Sequence, residues 1–210
     1  MYIYIILLIL AYLIGSIPTS VWVGKIFYKI DVREHGSGNA GATNTFRVLG
    51  VKAGIPVFLF DTFKGWLAVK LILLVHFIPA SNYVTYEIFL GISSILGHIY
   101  PVFAQFRGGK GVSTTLGIII AINPLSALIL LIIFAISLII TRYVSLSSII
   151  CALSYPILII YYSNVSSDSL IIFSIIIAIV VILTHQKNIK RLFSNEEKKV
   201  NFLKINRKNK

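Results

Sequence analysis

The sequence predicts an all-α integral membrane protein with seven transmembrane helices, the N-terminus outside and the C-terminus in the cytoplasm. Three observations lead there. Of its 210 residues, 57% are hydrophobic and 12% charged, against a charged share of about 25% in a soluble domain. The apolar residues gather in long runs with few or no charges. The basic residues, which give a net charge of +12, fall almost entirely between those runs. Such an excess also occurs in nucleic-acid-binding proteins. Its placement here fits membrane orientation and anionic headgroups, so a lipid bilayer and no nucleic acid is the expected partner. Cys151 is alone and lies in an apolar run, which excludes a disulfide framework. Residues 1–210 read as a single polytopic membrane domain with a basic cytoplasmic tail over about 185–210.

Residues 2–23 carry no charge and are long enough to cross a hydrocarbon core of about 30 Å. No basic region precedes them, so they read as a retained helix rather than a cleaved peptide. Gly15 and Pro18 are points where it can bend. The polar stretch that follows holds Lys25, Lys29, Arg33, Arg47 and Lys52. Residues 53–77 form a second run carrying Asp61, Lys64 and Lys70. Asp61 and Lys64 share a helix face, which suits a structural ion pair. The third run, 84–104, closes on Gly97, His98 and Pro101, and a second glycine-rich basic turn occupies 105–111.

Residues 112–141 are charge-free and admit one tilted helix or two crossings. Asn123-Pro124 supplies a break and a good helix start. Two crossings place Arg107, Lys110, Arg142 and the tail on one side, whereas one crossing separates Arg142 from the tail. With runs 143–167 and 169–184 added, every Lys and Arg except Lys64 and Lys70 falls in a cytoplasmic segment, as the positive-inside rule favours. Run 112–122 is short at about 1.5 Å per residue; it must begin earlier or lie against protein. This topology brings segments 31–47, 98–111, 142–147 and 185–191 to the cytoplasmic face, where four of them can meet in one site.

Their residue types point to phosphate chemistry. The first segment, around residues 35–44, holds Gly36, Gly38 and Gly41, the hydroxyls of Ser37 and Thr43, and the amides of Asn39 and Asn44. Glycines let backbone N–H groups turn toward an anion. The flanking Arg33 and Arg47 offer planar forks that match phosphate oxygens. The same composition also suits a tight turn between two membrane helices. Gly108, Gly109 and Gly111 surround Lys110 in a second loop, which fits either a phosphate or a flexible turn. Arg142 with Ser145 and Ser147 makes a third basic corner, and His185 to Arg191 a fourth that would also serve as a membrane anchor. His98 and His185 are acid/base candidates or structural histidines.

Several chemistries are excluded. Gly36-x-Gly38-x-x-Gly41 has the dinucleotide-binding spacing but lacks the strand and βαβ unit it needs. The Lys110 loop has no P-loop spacing. No cluster has metal-ligand spacing, so neither a metal nor a cofactor is expected. No histidine has an Asp five residues on, and three scattered aspartates cannot form the paired-aspartate pattern of an alcohol phosphotransferase.

Read together, these motifs resemble a family. Asp31-Val-Arg33-Glu-His-Gly-Ser37-Gly-Asn39-Ala-Gly41-Ala-Thr43-Asn44-Thr-Phe-Arg47 is similar to the first signature of the bacterial acyl-phosphate-dependent glycerol-3-phosphate acyltransferases, the PlsY family. Gly97-His98 through Gly108-Gly109-Lys110-Gly111 resembles the second. Thr141 to Ser147 and His185 through Asn188 to Glu197 resemble the third. The resemblance implies acyl transfer from acyl phosphate to the 1-hydroxyl of sn-glycerol 3-phosphate, giving lysophosphatidate and inorganic phosphate. This would be the first step of membrane phospholipid synthesis. It implies the bacterial cytoplasmic (inner) membrane, an active site on the cytoplasmic face, and a functional link to the enzyme that makes acyl phosphate. Carried over by residue, Ser37, Arg47, Lys110, His185 and Asn188 are implied as catalytic. Ser145 or Ser147 and Arg142 join the glycine-loop residues in substrate binding. Where the family has His-Arg-x-Asn, this chain has Gln186 in place of the Arg.

A transporter of anionic lipids or organophosphates would also need cytoplasmic phosphate sites. It would more often show an internal repeat with matching broken helices, and none is visible here. Among the charged residues, Asp61, Lys64 and Lys70 are the candidates for midplane polar groups.

Overall fold

The computed structural model describes residues 2–75, 78–162 and 168–200. The end of the second apolar run, the close of the sixth and the last ten residues of the tail lie outside the described residues. The described residues form ten α-helices and three short 3₁₀ turns. They pack as two compact units, Met1–Pro124 and Leu125–Lys210.

In the first unit the opening run is two helices, α1 (Tyr2–Gly15) and α2 (Thr19–Tyr28). They part at Ser16-Ile17-Pro18, because proline brings no N–H to continue the ladder. α3 (Ala42–Leu49) and α4 (Val51–Lys70) are joined by Gly50 at φ +85°, a conformation glycine adopts without strain. α5 (Ala80–Ile99) and α6 (Val112–Ile122) follow. In the second unit are α7 (Pro124–Thr141), α8 (Val144–Tyr162), α9 (Asp168–Thr184) and α10 (Gln186–Phe193). A 61° bend separates α9 from α10.

Among the described residues, four segments are long and apolar enough to cross a membrane: Tyr2–Tyr28, Ala80–Ala104, Pro124–Thr141 and Val144–Tyr161. The bent pair α9 and α10 would make five. The expected second and fourth spans, α4 and α6, are not among them. α4 carries Asp61, Lys64 and Lys70, and α6 is only 11 residues long. α6 begins at Val112, as its run does, and is buried against α4.

Glycine makes that packing possible. A side chain at Gly65 would strike the Thr114 backbone, and one at Gly117 the Thr62 carbonyl, so α4 and α6 approach at backbone contact. At the other end Lys70 donates to the Ala121 carbonyl at 3.1 Å and lies 3.4 Å from Glu87, tying α4 to α6 and α5. α1 and α5 pack alongside, with Leu7, Ala11, Ala68, Ile72 and Leu90 forming an apolar layer. Within the second unit α8 and α9 pack through Tyr155 and Phe173, edge to face at 6.3 Å.

Candidate active site

The first glycine loop is held from behind. Asp31 accepts the Arg33 N–H at 3.0 Å and opens a short 3₁₀ turn. The Arg33 guanidinium donates to Asp31 through Nη2 at 2.7 Å and through Nε at 3.0 Å, and its Nη1 donates to the Ala104 carbonyl at 2.9 Å. Hydrogen bonds from Arg33 hold the Asp31 carboxyl well below the usual carboxylate range, outweighing its burial. The same pairing raises Arg33 above its ordinary value. This corrects the expectation for Arg33: its fork fastens the loop, because Asp31 and Ala104 already use it.

Gly36 and Gly38 stand at φ +66° and +73°, as a turn of this kind requires. Asn44 sits inside the turn. Its Oδ1 accepts the Ser37 N–H at 2.8 Å, and its Nδ2 donates to the carbonyls of Val32 at 2.7 Å and His35 at 3.1 Å. Asn44 thus clamps the loop and is buried, a different part from the ligand contact expected of it. Ser37 and Asn39 are half-buried. Gly41 is extended and caps α3, which carries Thr43 and Arg47 at exposed positions.

The second loop differs from its expectation too. The Gly108 N–H donates to the Ile99 carbonyl at 3.2 Å and the Gly109 N–H to the His98 carbonyl at 3.1 Å. Both N–H groups face the end of α5, not an open nest. These glycines serve close approach: a side chain at Gly108 would meet the carbonyls of His98 and Ile99, and one at Gly109 the His98 ring and the Ala40 carbonyl. Gly111, at φ +81°, turns the chain into α6, and Lys110 is half-buried beside it.

Between the two loops and the bundle lies a small cavity lined by Thr19, Ala40, Asp61, Lys64, His98 and Gly108, among others. Lys64 Nζ lies 2.8 Å from Asp61 Oδ1 and donates to the Ile17 carbonyl at 2.8 Å. Thr19 donates to Asp61 at 3.1 Å. Thr114 Oγ1 and His98 Nδ1 share a hydrogen bond at 3.1 Å.

The second unit holds the other predicted residues. His185 is buried at the start of α10, with Nδ1 at 2.8 Å from the Val181 carbonyl. A carbonyl only accepts, so Nδ1 carries the proton and in the neutral ring Nε2 is the basic nitrogen. Asn188 donates to Glu197 at 2.6 Å, Ser145 donates to the same oxygen at 2.9 Å, and Arg191 binds the other oxygen at 2.8 Å. Burial pushes the Glu197 carboxyl up, but these three donors together bring it below its ordinary value. Ser147 instead donates back to the Tyr143 carbonyl at 2.9 Å. The structure therefore groups Ser145, not Ser147, with Asn188. Arg142 is an exposed corner residue at φ +61° whose carbonyl accepts the Val200 N–H at 2.8 Å. Among the described residues no group of three or more His, Cys, Asp or Glu is placed to hold a metal.

Sequence reasoning missed Thr19 and Thr114, which carry no motif signal, and gave Glu197 no role. The sequence signals for the buried cluster were the Asp61 and Lys64 spacing and His98 at the start of the second motif.

Three comparisons bear on this architecture. A family model described as glycerol-3-phosphate acyltransferase matches residues 5–195. The glycerol-3-phosphate acyltransferase of Staphylococcus carnosus (strain TM300) is 46% identical over 203 residues, covering 95% of this chain and 98% of the relative. That of Staphylococcus aureus (strain Newman) is 44% identical over the same length. Crystal structures of PlsY, an integral membrane glycerol 3-phosphate acyltransferase, superpose at 36% identity. Its glycerol 3-phosphate form gives a TM-score of 0.85 over 96% of this chain and 98% of that one. Its lysophosphatidic acid form gives 0.81 over 96% and 97%. The matched residues span both units, and on that basis the chain belongs to the PlsY family of integral membrane glycerol-3-phosphate acyltransferases.

Proposed function

We propose that this protein transfers an acyl group from acyl phosphate to the 1-hydroxyl of sn-glycerol 3-phosphate, producing lysophosphatidate and inorganic phosphate. The observation that carries the reading is the pair of glycine loops, 36–41 and 108–111, supported from behind by Arg33, Asn44 and His98, in a chain of this family. Glycerol 3-phosphate and lysophosphatidic acid name the two forms of the solved relative, and they are the acceptor and product of this reaction.

The chemistry needs little from the protein beyond placement and charge. The acceptor oxygen attacks the acyl carbon, a C–O bond forms, and the bond from that carbon to the phosphate oxygen breaks with its electron pair. Phosphate leaves, and the hydroxyl proton ends on it. Arg47 and Lys110 are the cations proposed for the two phosphates. With the Gly108 and Gly109 N–H groups facing inward, the second loop's donors are Lys110 and the first-turn N–H groups of α6, which lack intrahelical acceptors. Ser37, Asn39 and Thr43 supply polar contacts at the first loop. Such donors stabilise the tetrahedral oxyanion and the departing phosphate. The donor is already activated, so Ser37 acts as a ligand and no covalent enzyme intermediate is needed. His185 and Asn188, carried over from the family motif, are proposed to orient the acceptor.

We further read residues 1–210 as one polytopic domain of the bacterial inner membrane. Its seven segments are residues 2–23 and α4 to α9, with the N-terminus outside and the motifs cytoplasmic. Charge distribution supports this: every Lys and Arg but Lys64 and Lys70 falls in a cytoplasmic segment. An enzyme that makes acyl phosphate must supply the donor.

The test is turnover by purified protein in detergent given acyl phosphate and glycerol 3-phosphate. Lysophosphatidate and phosphate should appear in equal amounts. Product from acyl-CoA but not from acyl phosphate would overturn the donor, and no product from either would overturn the reaction.

A further inference from the structure

Gly109 is where the two glycine loops meet. A side chain there would strike both the His98 ring and the Ala40 carbonyl, so the residue touches the support of one loop and the end of the other. The His98 carbonyl also accepts the Gly109 N–H at 3.1 Å. The His98 ring is fixed in turn by Thr114, in the first turn of α6, at 3.1 Å and lies 3.9 Å from Asp61. Asp61 is paired with Lys64 at 2.8 Å, and Lys64 reaches the Ile17 carbonyl at 2.8 Å, at the break between α1 and α2. A continuous polar chain thus runs from that break through α4 and α5 to the second loop. His98 is 6% exposed, Lys64 2%, Asp61 1% and Thr114 0%. With so little water to replace a lost partner, each contact constrains the next.

We propose that Asp61, Lys64, His98 and Thr114 are positioning residues for glycerol 3-phosphate. They fix Gly109, and through it the spacing between the 36–41 and 108–111 loops that the phosphate must bridge. The proposal rests on the functional reading above, in which these loops bind phosphate. An ion pair that served stability alone would need neither the His98 ring against Gly109 nor the Thr114 hydroxyl on that ring.

The test compares purified wild-type protein with Thr114→Val, Thr114→Ser and Ser93→Ala in detergent. Rates are taken against glycerol 3-phosphate at saturating acyl phosphate, alongside thermal melting. Val keeps the shape of Thr and loses the hydroxyl; Ser keeps the hydroxyl and loses a methyl. Thr114→Val should raise KM for glycerol 3-phosphate about 3- to 10-fold, the worth of one buried hydrogen bond, with kcat changed by less than about twofold. Thr114→Ser should stay near wild type. Ser93→Ala removes a hydrogen bond to the Leu8 carbonyl between α1 and α5 and should leave KM alone. Asp61→Asn should move KM in the same direction as Thr114→Val. Because it removes half of a buried pair it is read only with its melting curve, and the Thr114 variants decide. An unmoved KM in Thr114→Val overturns the proposal, and so does a larger defect in Ser than in Val, which marks simple packing. If the wild type itself gives no turnover, the functional reading falls and the proposal with it. Normal wild-type turnover with an unmoved KM removes the proposal alone.

Discussion

Each unit keeps a carboxylate away from water, and the two do it differently. In the first unit Asp61 sits on a helix interior, and its partners Lys64, Thr19 and His98 come from α4, α2 and α5. The pair is buried, and helices in backbone contact surround it. In the second unit Glu197 lies on the segment after α10, held by Ser145, Asn188 and Arg191. Its side chain is 6% exposed, but the Arg191 side chain is 33% exposed, so water reaches part of that network. The rule is shared: a buried carboxylate needs cationic or hydrogen-bonding partners. A charge placed on rigid helices is bound up with the whole unit. A charge on a terminal segment is bound up with the docking of that segment alone.

The largest test of this contrast is Lys64→Met. It leaves Asp61 buried beside His98 without its cation, and removing one partner of such a pair costs about 3–5 kcal/mol. Detergent-purified protein should melt well below wild type, and the double variant Asp61→Leu with Lys64→Met should recover part of the loss. A wild-type melt for Lys64→Met alone would erase the distinction between interior and tail.

Next in size is Arg47→Lys. Arg47 lies at an exposed position of α3, so charge is retained and folding should be intact while turnover falls roughly ten- to hundredfold with the lost fork. An unchanged melting curve beside that loss separates site cations from the buried Lys64. Turnover near wild type would remove Arg47 from the site.

Glu197→Gln should cost about 1.5–3 kcal/mol, expressed locally as faster protease cleavage after α10. Its pH dependence follows from the lowered carboxyl. The stabilisation is fully present above the ordinary carboxylate value of 4.5 and is lost as pH falls through the lower folded value. Wild type and Glu197→Gln should therefore differ at neutral pH and converge in acid. A difference that grows on acidification would reverse the assignment.

The smallest effect separates two serines. Ser145→Ala loses a donor to Glu197 and should lower stability by about 1 kcal/mol, whereas Ser147→Ala removes only a local bond to the Tyr143 carbonyl just before its helix and should be nearly silent. Equal effects would mean that the hydroxyl on Glu197 is unimportant.

Much of this molecule was legible in its sequence, because helices in lipid are written in long apolar runs and tight loops in glycine. Residues 2–23 and 84–104 announced themselves through charge-free or nearly charge-free length. Gly36 and Gly38 signalled the left-handed turns they occupy. The order of the three motifs carried the family. What sequence alone could not settle is the direction of side chains and the approach of backbones. Arg33 and Asn44 read as ligand contacts by type, yet nearer partners, Asp31 and the turn carbonyls, take their hydrogen bonds. Gly108 and Gly109 read as anion nests, yet their N–H groups close onto α5. The burial of the short α6 depends on Gly65 and Gly117 meeting the facing backbone, a contact between residues far apart in the chain. Local composition marked the long apolar runs and the glycine-rich basic turns, but not the break that divides the first run into α1 and α2 or the short helices α3 and α10. Tertiary structure decided which partners the polar groups took, because a hydrogen bond goes to whichever partner packing brings within reach.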